Sequence, residues 1–90
     1  MIFEWDRAKS KINQDKHGID FETAKGLWLD ENKIEIEAPH PIEKRSIIIA
    51  ELNGKLWTAI FTRRSNAVRI ISVRRSREKE VNLYGKEKTG

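Results

Sequence analysis

Lys16 and His17 are neighbours near the end of a predicted helix, and their side chain types suit acid–base chemistry on an anionic substrate. Histidine has an unperturbed pKa of about 6.5, so it can act as a base or an acid at neutral pH. The adjacent lysine supplies positive charge for an anionic transition state. The alternative is structural, because cations are also favourable at a helix C-terminus. Both interpretations of this pair stay open.

The helix that carries this pair has a signal at each end. Asp6 is a good N-cap acceptor after a short apolar strand, and Gly18 can adopt the left-handed conformation that ends a helix. These signals predict a helix from about Arg7 to His17. Lys9 and Asn13 recur with the Lys-His pair at spacings of three and four, so they share one side of the helix. A polar face that ends in Lys-His favours a binding function.

Positive charge is concentrated in the last third of the chain. Residues 1–62 carry nine Lys/Arg against eleven Asp/Glu, a net of −2, whereas residues 63–90 carry nine against three, a net of +6. Such density fits a surface that binds a polyanion, because each neutralised phosphate releases counterions. The alternative is a solvated basic tail. Binding is favoured because most of these cations alternate with a strand pattern or begin a helix.

The composition excludes several classes of protein. Ninety residues support one small core, so a ligand is expected on a surface or in a groove. The chain has no cysteine, which excludes disulfides and zinc-thiolate sites, and its acids are scattered, so we predict no metal and no cofactor. It has no signal peptide and no long apolar segment, so we expect a soluble cytoplasmic protein without membrane association.

Further helices are predicted on both sides of a strand-rich region. Asp20 can cap a second helix from Phe21 to about Leu29. Ser76 can cap a last helix that carries Tyr84. We expect residues 1–85 to form one domain and residues 86–90 to form a disordered tail.

The region between these helices predicts a meander of strands. Alternating and apolar runs indicate strands over residues 33–37, 46–52, 56–62 and 68–74. The dipeptide Asn53-Gly54 favours a type I′ hairpin between the middle two strands. The expected fold class is therefore α+β, with two N-terminal helices on one face of an antiparallel sheet of about four strands, plus a C-terminal helix.

Two ordered blocks of this sequence match a known pattern. The matching residues are Glu4-Trp5-Asp6, Lys9, Asn13, Lys16-His17-Gly18, Phe21, Arg64, the run Arg69–Arg75, Glu78 and Tyr84. With these residues, the chain resembles BrnT-type toxins of the RelE-like ribonuclease superfamily over nearly its whole length. The resemblance implies a RelE-like fold and a bacterial type II toxin. It also implies a metal-independent endoribonuclease that cuts RNA and thereby inhibits translation.

The resemblance implies partners as well. It predicts a dimeric ribbon-helix-helix antitoxin that masks the toxin in a heterotetramer or a similar complex. That complex would bind operator DNA through the antitoxin, and RNA would be the substrate of the free toxin. Part of the basic surface would then serve an acidic antitoxin. The alternative function is a non-catalytic basic module that binds RNA, DNA or a protein.

Cleavage of RNA by its own 2′-hydroxyl needs a base, an acid and cations for the charge at phosphorus. The candidate catalytic residues are Lys16, His17, Arg64, Arg74 and Tyr84. The candidate RNA-binding residues are Lys9, Arg63, Arg69 and Arg75. The identity of the base stays open. So does a structural role for each residue, for example a buried anchor for Tyr84 or a surface ion pair for an arginine.

Strand geometry limits which arginines can act together. In a regular strand, Arg69 and Arg75 lie on one face and Arg74 on the other, because side chains alternate. They can line one site only if a bulge or a strand end intervenes. Because both N-terminal helices are expected on one face, the opposite face with its arginines is predicted to be an uncovered RNA site.

Overall fold

Residues 1–89 are described by the computed structural model, with side chains for residues 1–86. Within that stretch, the strands are β1 (Ile2–Glu4), β2 (Ile34–Ala38), β3 (Arg45–Leu52), β4 (Lys55–Arg64) and β5 (Ala67–Arg75). They form one sheet in the order β1-β5-β4-β3-β2. The helices are α1 (Arg7–His17), α2 (Phe21–Ala24), a 3₁₀ helix (Lys25–Leu29) and α3 (Glu78–Thr89).

The sheet is mixed, and within the described residues it has five strands. The α+β class is confirmed, but the expectation of an antiparallel sheet of about four strands was wrong. The short N-terminal strand, β1, joins the edge beside β5 and runs parallel to it, with Phe3 opposite Val68. The other neighbouring strands are antiparallel. The local pattern of a three-residue strand carries no information about the edge that it joins.

The predicted ends of α1 are confirmed. The Asp6 carboxylate accepts hydrogen bonds from the backbone N–H of Ala8 at 2.8 Å and of Lys9 at 3.2 Å. Gly18 has a φ of 78°, and its N–H donates to the Gln14 carbonyl at 2.9 Å. Glycine adopts this left-handed conformation without the steric cost of a Cβ, and the helix ends here.

The second helix starts where it was predicted but changes type. Asp20 accepts a hydrogen bond from the Thr23 N–H at 2.8 Å, and hydrogen bonds with Thr23 lower the pKa of Asp20. The α-helical part ends at Ala24 and continues as the 3₁₀ helix. A Cβ on Gly26 would lie 2.8 Å from Leu52 Cδ1, so glycine allows this short helix to approach β3 closely.

The Asn53-Gly54 hairpin is also confirmed. It joins β3 to β4, and both residues have positive φ, 53° and 78°. A type I′ turn requires positive φ at both central positions, which Asn and Gly tolerate best. The turn sets the register in which Ala50 pairs with Trp57.

The main core lies on one face of the sheet, which we call the helix face because α1, α2 and the 3₁₀ helix cover it. Ile48, Phe61 and Ile70 point to this face and are almost completely buried against helix residues such as Phe21. The rings of Phe3 and Phe61 pack edge-on against Trp28, with centroids 5.1 and 5.2 Å from it. Edge-to-face packing of this kind adds to the free energy gained from burying the rings.

The opposite face, which we call the α3 face, is partly covered by α3. Thr58 points to it and is fully buried, as is Ile49 on the neighbouring strand. Helix α3 begins at Glu78, two residues after the predicted cap. The Ser76 hydroxyl instead lies 2.8 Å from Thr58 Oγ1. The expectation that this face is uncovered was therefore wrong, because the C-terminal helix folds back onto it.

One extra residue in β5 changes which side chains share a face. Ile60 pairs with Ser72 but its neighbour Phe61 pairs with Ile70, so Ile71 is inserted between two register positions. As a result Arg69 and Arg74 both lie on the α3 face, opposite Thr62 and Thr58, although they are an odd number of positions, five, apart in the sequence. Arg75 lies on the helix face, opposite Trp57. The arrangement predicted for a regular strand was wrong because of this bulge.

Helix α3 runs to Thr89, so its backbone includes most of the predicted tail of residues 86–90. Gly90 lies outside the described residues. No helix within residues 1–89 is both long enough and apolar enough to cross a membrane.

A charged network fastens the start of α3 to the sheet. Arg74 donates two hydrogen bonds to the Glu80 carboxylate, both at 2.8 Å. Glu80 Oε1 also accepts from the Arg77 N–H at 2.7 Å and the Thr58 hydroxyl at 3.0 Å. The hydrogen bonds from Arg74 are the main cause that lowers the pKa of Glu80 to about 2. The carboxylate is therefore held ionised in the folded state.

Replacement of Glu80 by Gln tests this network. We expect the free energy of unfolding at pH 7 to fall by about 2 kcal/mol, because a half-buried guanidinium loses its charged partner. The wild-type carboxylate stabilises the fold above its ordinary pKa of 4.5, and this contribution is lost as the pH falls towards about 2. Urea unfolding between pH 7 and pH 2 should show a weaker pH dependence for Glu80→Gln. The exposed Glu78→Gln is the matched control, and equal behaviour of the two variants would contradict the assignment.

Candidate functional site at the end of α1

The C-terminal end of α1 lies beside the β3–β4 hairpin. A groove of about 220 Å³ separates them, and its lining residues are Gly18, Ile19, Thr23, Leu52, Asn53, Lys55 and Trp57. Because His17 immediately precedes Gly18, the predicted acid–base pair lies at the Trp57 end of β4. Lys16 is exposed and His17 is half-buried.

Asn13 holds this end of α1 against the sheet. Its side chain is buried, with 6% of the residue exposed. The amide oxygen accepts from the Val73 N–H at 3.1 Å, and the amide nitrogen donates to the Ile19 carbonyl at 2.8 Å. Strand β1 pairs only with residues 67–69 of β5, so the Val73 N–H lies beyond its reach and needs another acceptor. Asn13 therefore links helix, sheet and the turn after His17.

Arg75 lies on the helix face, at the same end of the sheet as Trp57 and the C-terminal end of α1. Its guanidinium carbon is 5.4 Å from the centroid of the Trp57 ring, a cation–π distance. Its Nε donates to the Leu56 carbonyl at 3.3 Å. Most of its N–H donors are left for other acceptors, and a guanidinium presents such donors in the fork geometry that suits phosphate.

We call Lys16, His17, Lys55 and Arg75 the basic end. None of the four forms an ion pair with a residue in the described part of the chain. Lys55 was not among the residues picked from the sequence, since a lysine after a hairpin turn carries no local signal. Four cationic or ionisable groups without carboxylate partners form a local excess of positive charge that can attract a phosphate backbone.

Arg74 and Tyr84, two predicted catalytic residues, are engaged in contacts on the α3 face. Arg74 is bound to Glu80, and the hydrogen bonds to that carboxylate raise the pKa of Arg74. Tyr84 is 4% exposed and donates its hydroxyl to Asp30 Oδ2 at 2.7 Å. Burial, followed by the hydrogen bond to Asp30, raises the pKa of Tyr84 to about 12. These contacts support the anchor interpretation of Tyr84.

The remaining predicted arginines lie at the other end of the sheet. Arg63 donates two hydrogen bonds of 2.8 Å to Glu35 and thereby lowers the pKa of that carboxylate. Arg69 lies 3.9 Å from a Glu4 oxygen. Arg64 is exposed and has no ion-pair or hydrogen-bond partner among residues 1–86.

The structure does not bring the predicted catalytic residues together. Arg64 is seven residues from Trp57 along β4, roughly 23 Å at about 3.3 Å per residue. It also lies on the α3 face, whereas the basic end lies on the helix face. Of the predicted set, Lys16, His17 and Arg75 share a region. Lys9 is exposed in the first turn of α1, about two helical turns before Lys16.

Other chemistry-bearing side chains are scattered. His40 lies in the loop after β2, where its Nδ1 accepts from the Ile42 N–H at 3.3 Å. Within the described residues, no group of three or more His, Asp or Glu side chains is positioned to hold a metal ion. The basic end is therefore the region where an ionisable imidazole and unpaired cations occur together.

Comparison with known proteins adds a family. A family model described as "Ribonuclease toxin, BrnT, of type II toxin-antitoxin system" matches residues 5–80. This range includes α1, the whole meander and the start of α3. No curated protein matches the chain.

Replacement of Asn13 by Ala should destabilise the protein by about 2–4 kcal/mol, because it leaves the Val73 N–H and the Ile19 carbonyl without their partners in a buried place. The measurement is urea unfolding at pH 7, with the exposed Asn82→Ala as the matched control. A loss below about 1 kcal/mol would show that water or another group replaces the amide.

Replacement of Tyr84 by Phe separates the anchor role from a catalytic one. The variant keeps the ring but loses the hydrogen bond to Asp30, so the free energy of unfolding should fall by about 1 kcal/mol. The ribonuclease activity that the family description names should persist, because the wild-type hydroxyl is already bound inside the fold. A folded variant that no longer cleaves RNA would instead support a catalytic hydroxyl.

Proposed function

Because this chain belongs to the BrnT family of type II toxin–antitoxin ribonuclease toxins, we propose that it is a metal-independent endoribonuclease that cuts RNA and thereby inhibits translation. The observation that carries the proposal is the basic end, in which the ionisable His17 lies at the same end and face of the sheet as Arg75. The open groove beside the basic end, which Lys55 lines, is accessible to a polymer. A single-stranded RNA segment can lie along such a groove without entering a deep pocket.

The proposed reaction is transfer of the phosphoryl group to the neighbouring 2′-hydroxyl. The 2′-oxygen attacks phosphorus, the bond to the 5′-oxygen breaks, and the products are a 2′,3′-cyclic phosphate and a 5′-hydroxyl. One group must accept the 2′ proton and another must protonate the departing 5′-oxygen. His17 is suited to one of these roles, and the other is open.

The cations would stabilise the additional negative charge on the phosphorane. Arg75 can donate two parallel N–H groups to the non-bridging oxygens, while Lys16 and Lys55 act as point charges. Such electrostatic stabilisation is effective where the cations have no competing carboxylates. The reaction needs no redox step and no second substrate. Lys9 would hold flanking phosphates further along α1.

The family also implies an antitoxin partner. We propose that this partner is a dimeric ribbon-helix-helix protein and that the complex binds operator DNA through it. The free toxin would act on RNA in the cytoplasm. A heterotetramer of two toxins on one antitoxin dimer is the simplest assembly with the required two-fold symmetry.

The alternative is a basic module that binds RNA without cutting it. The same unpaired cations would then serve affinity alone, and His17 would act as a favourable cation at the helix C-terminus. The two functions differ in one observable. Only the nuclease converts RNA to shorter products with cyclic phosphate ends.

Purified protein incubated with labelled RNA in EDTA tests the proposal. We expect cutting that yields 2′,3′-cyclic phosphate ends. The variants His17→Ala and Arg75→Ala should each lower kcat/KM by about 10²-fold or more. RNA affinity should fall less than about tenfold, because one lost cation removes only one phosphate contact. Induced expression of the wild type should arrest growth, and each of the two variants should relieve the arrest.

Two matched controls sharpen this test. His40→Ala removes the other histidine of the sequence, and Arg64→Ala removes an exposed arginine at the opposite end of the sheet. Both should cut RNA at the wild-type rate. Loss of cutting in Arg64→Ala but not in His17→Ala would indicate that the reaction takes place at the Arg64 end of the sheet. A folded wild type that binds RNA without cutting it would favour the binding module.

A further inference from the structure

A row of isoleucines crosses the α3 face beside the area that α3 covers. Ile36, Ile47 and Ile60 are direct cross-strand partners on β2, β3 and β4. Ile36 is 38% exposed, and the other two are half-buried. The adjacent row contains Ile49 and Thr58, which are fully buried. Helix α3 therefore covers that row and leaves the isoleucine row in contact with solvent.

Arginines border this isoleucine row on the side away from α3. Arg45 lies two residues from Ile47 on β3, and Arg64 lies further out on β4. Arg69 on β5 is the cross-strand partner of Thr62, which lies two residues from Ile60. Arg69 has only the 3.9 Å contact with Glu4. Arg45 Nε is buried and lies 3.5 Å from a Glu43 oxygen, so only the terminal nitrogens of this guanidinium are left for a partner. The border therefore has unused N–H donors in a geometry that suits carboxylates.

The chemistry of this surface favours a protein over RNA. Proteins that bind single-stranded RNA stack its bases on aromatic rings, whereas aliphatic side chains bury apolar side chains of a partner. The described tryptophan and phenylalanine rings all belong to the core on the helix face or pack against it. Tyr84 on the α3 face is buried with its hydroxyl bound. An RNA segment would find phosphate contacts at the border but has no aliphatic side chains with which to bury the isoleucine row.

We propose that the isoleucine row and its arginine border form the docking surface for an acidic amphipathic helix of the antitoxin. This inference rests on the proposed function, since the partner is the antitoxin of that system. Ile36 and Ile60 are two strand spacings apart, about 10 Å, which matches the width of a helix. Apolar residues of the partner pack on the row, and its carboxylates bind Arg45, Arg64 and Arg69.

The position of this surface separates antitoxin binding from the proposed cleavage site. It lies on the α3 face, whereas the basic end lies on the helix face. Substitutions in the row therefore act on antitoxin affinity without touching the residues of the proposed cleavage reaction. The two properties can be measured separately on the same protein.

The test uses the full chain and the purified antitoxin encoded beside its gene, with affinity measured by calorimetry. Ile36→Glu should weaken binding at least about tenfold, because it places a carboxylate opposite an apolar, acidic partner. Arg45→Gln should weaken it about fivefold by loss of one charged contact. Ile12→Glu is the matched control, since Ile12 is 61% exposed on α1, and it should bind as the wild type does. Co-expressed antitoxin should fail to relieve growth arrest by Ile36→Glu.

RNA cleavage by the same proteins distinguishes this inference from the proposed function. Cleavage at the wild-type rate by Ile36→Glu and Arg45→Gln, with weakened antitoxin binding, supports the docking surface. Unchanged antitoxin affinity in both variants overturns it, whether or not the wild type cleaves RNA. Loss of RNA affinity without loss of antitoxin affinity also overturns it and assigns the face to RNA. Because Arg45→Gln adds no charge to the row, it keeps the test decisive if Ile36→Glu does not fold.

Discussion

The pairing of β4 with β5 is the constraint on which the other features of this protein depend. Both faces of β4 are buried at its Trp57 end, with Trp57 on the helix face and Thr58 on the α3 face. Its register therefore cannot slip without exposing apolar surface on one side and stranding the Thr58 hydroxyl on the other. The inserted Ile71 in β5 then sets the face that each arginine occupies.

The basic end also depends on the short length of β1. This strand leaves the edge of β5 open beyond Arg69, and α1 fills that edge with the buried amide of Asn13. This amide gives the open edge an acceptor, as a further strand would have done, while its other hydrogen bond reaches the turn after α1. A polar side chain inside the core is tolerable because both of its functional groups are satisfied. As a result, the C-terminal end of α1 lies beside the C-terminal part of β5.

Charge is arranged in three different ways across the sheet. Arg63 and Arg74 are bound bidentately to carboxylates, so several of their N–H donors are occupied within the fold. The cations of the basic end have no such partners and can attract a polyanion. The arginines beside the isoleucine row combine unused donors with aliphatic surface, which suits a protein partner better than a nucleic acid. The net charge of +4 is therefore distributed over three groups of cations that differ in their pairing.

Local sequence determined the ends of α1, the cap of α2, the hairpin and the α+β class, because caps and turns depend on neighbouring residues alone. The family was recognised from residues in two ordered blocks of the sequence, and the family model confirms it. Only the tertiary structure decided the parallel edge strand, the return of α3 onto the sheet and the faces of Arg69 and Arg74. These three features depend on pairings between distant segments and on one bulged residue. The local hydrophobic pattern predicts neither the pairings nor the bulge. The tertiary structure also decided that Tyr84 donates a hydrogen bond to Asp30 and that Lys55 lies beside the turn after His17.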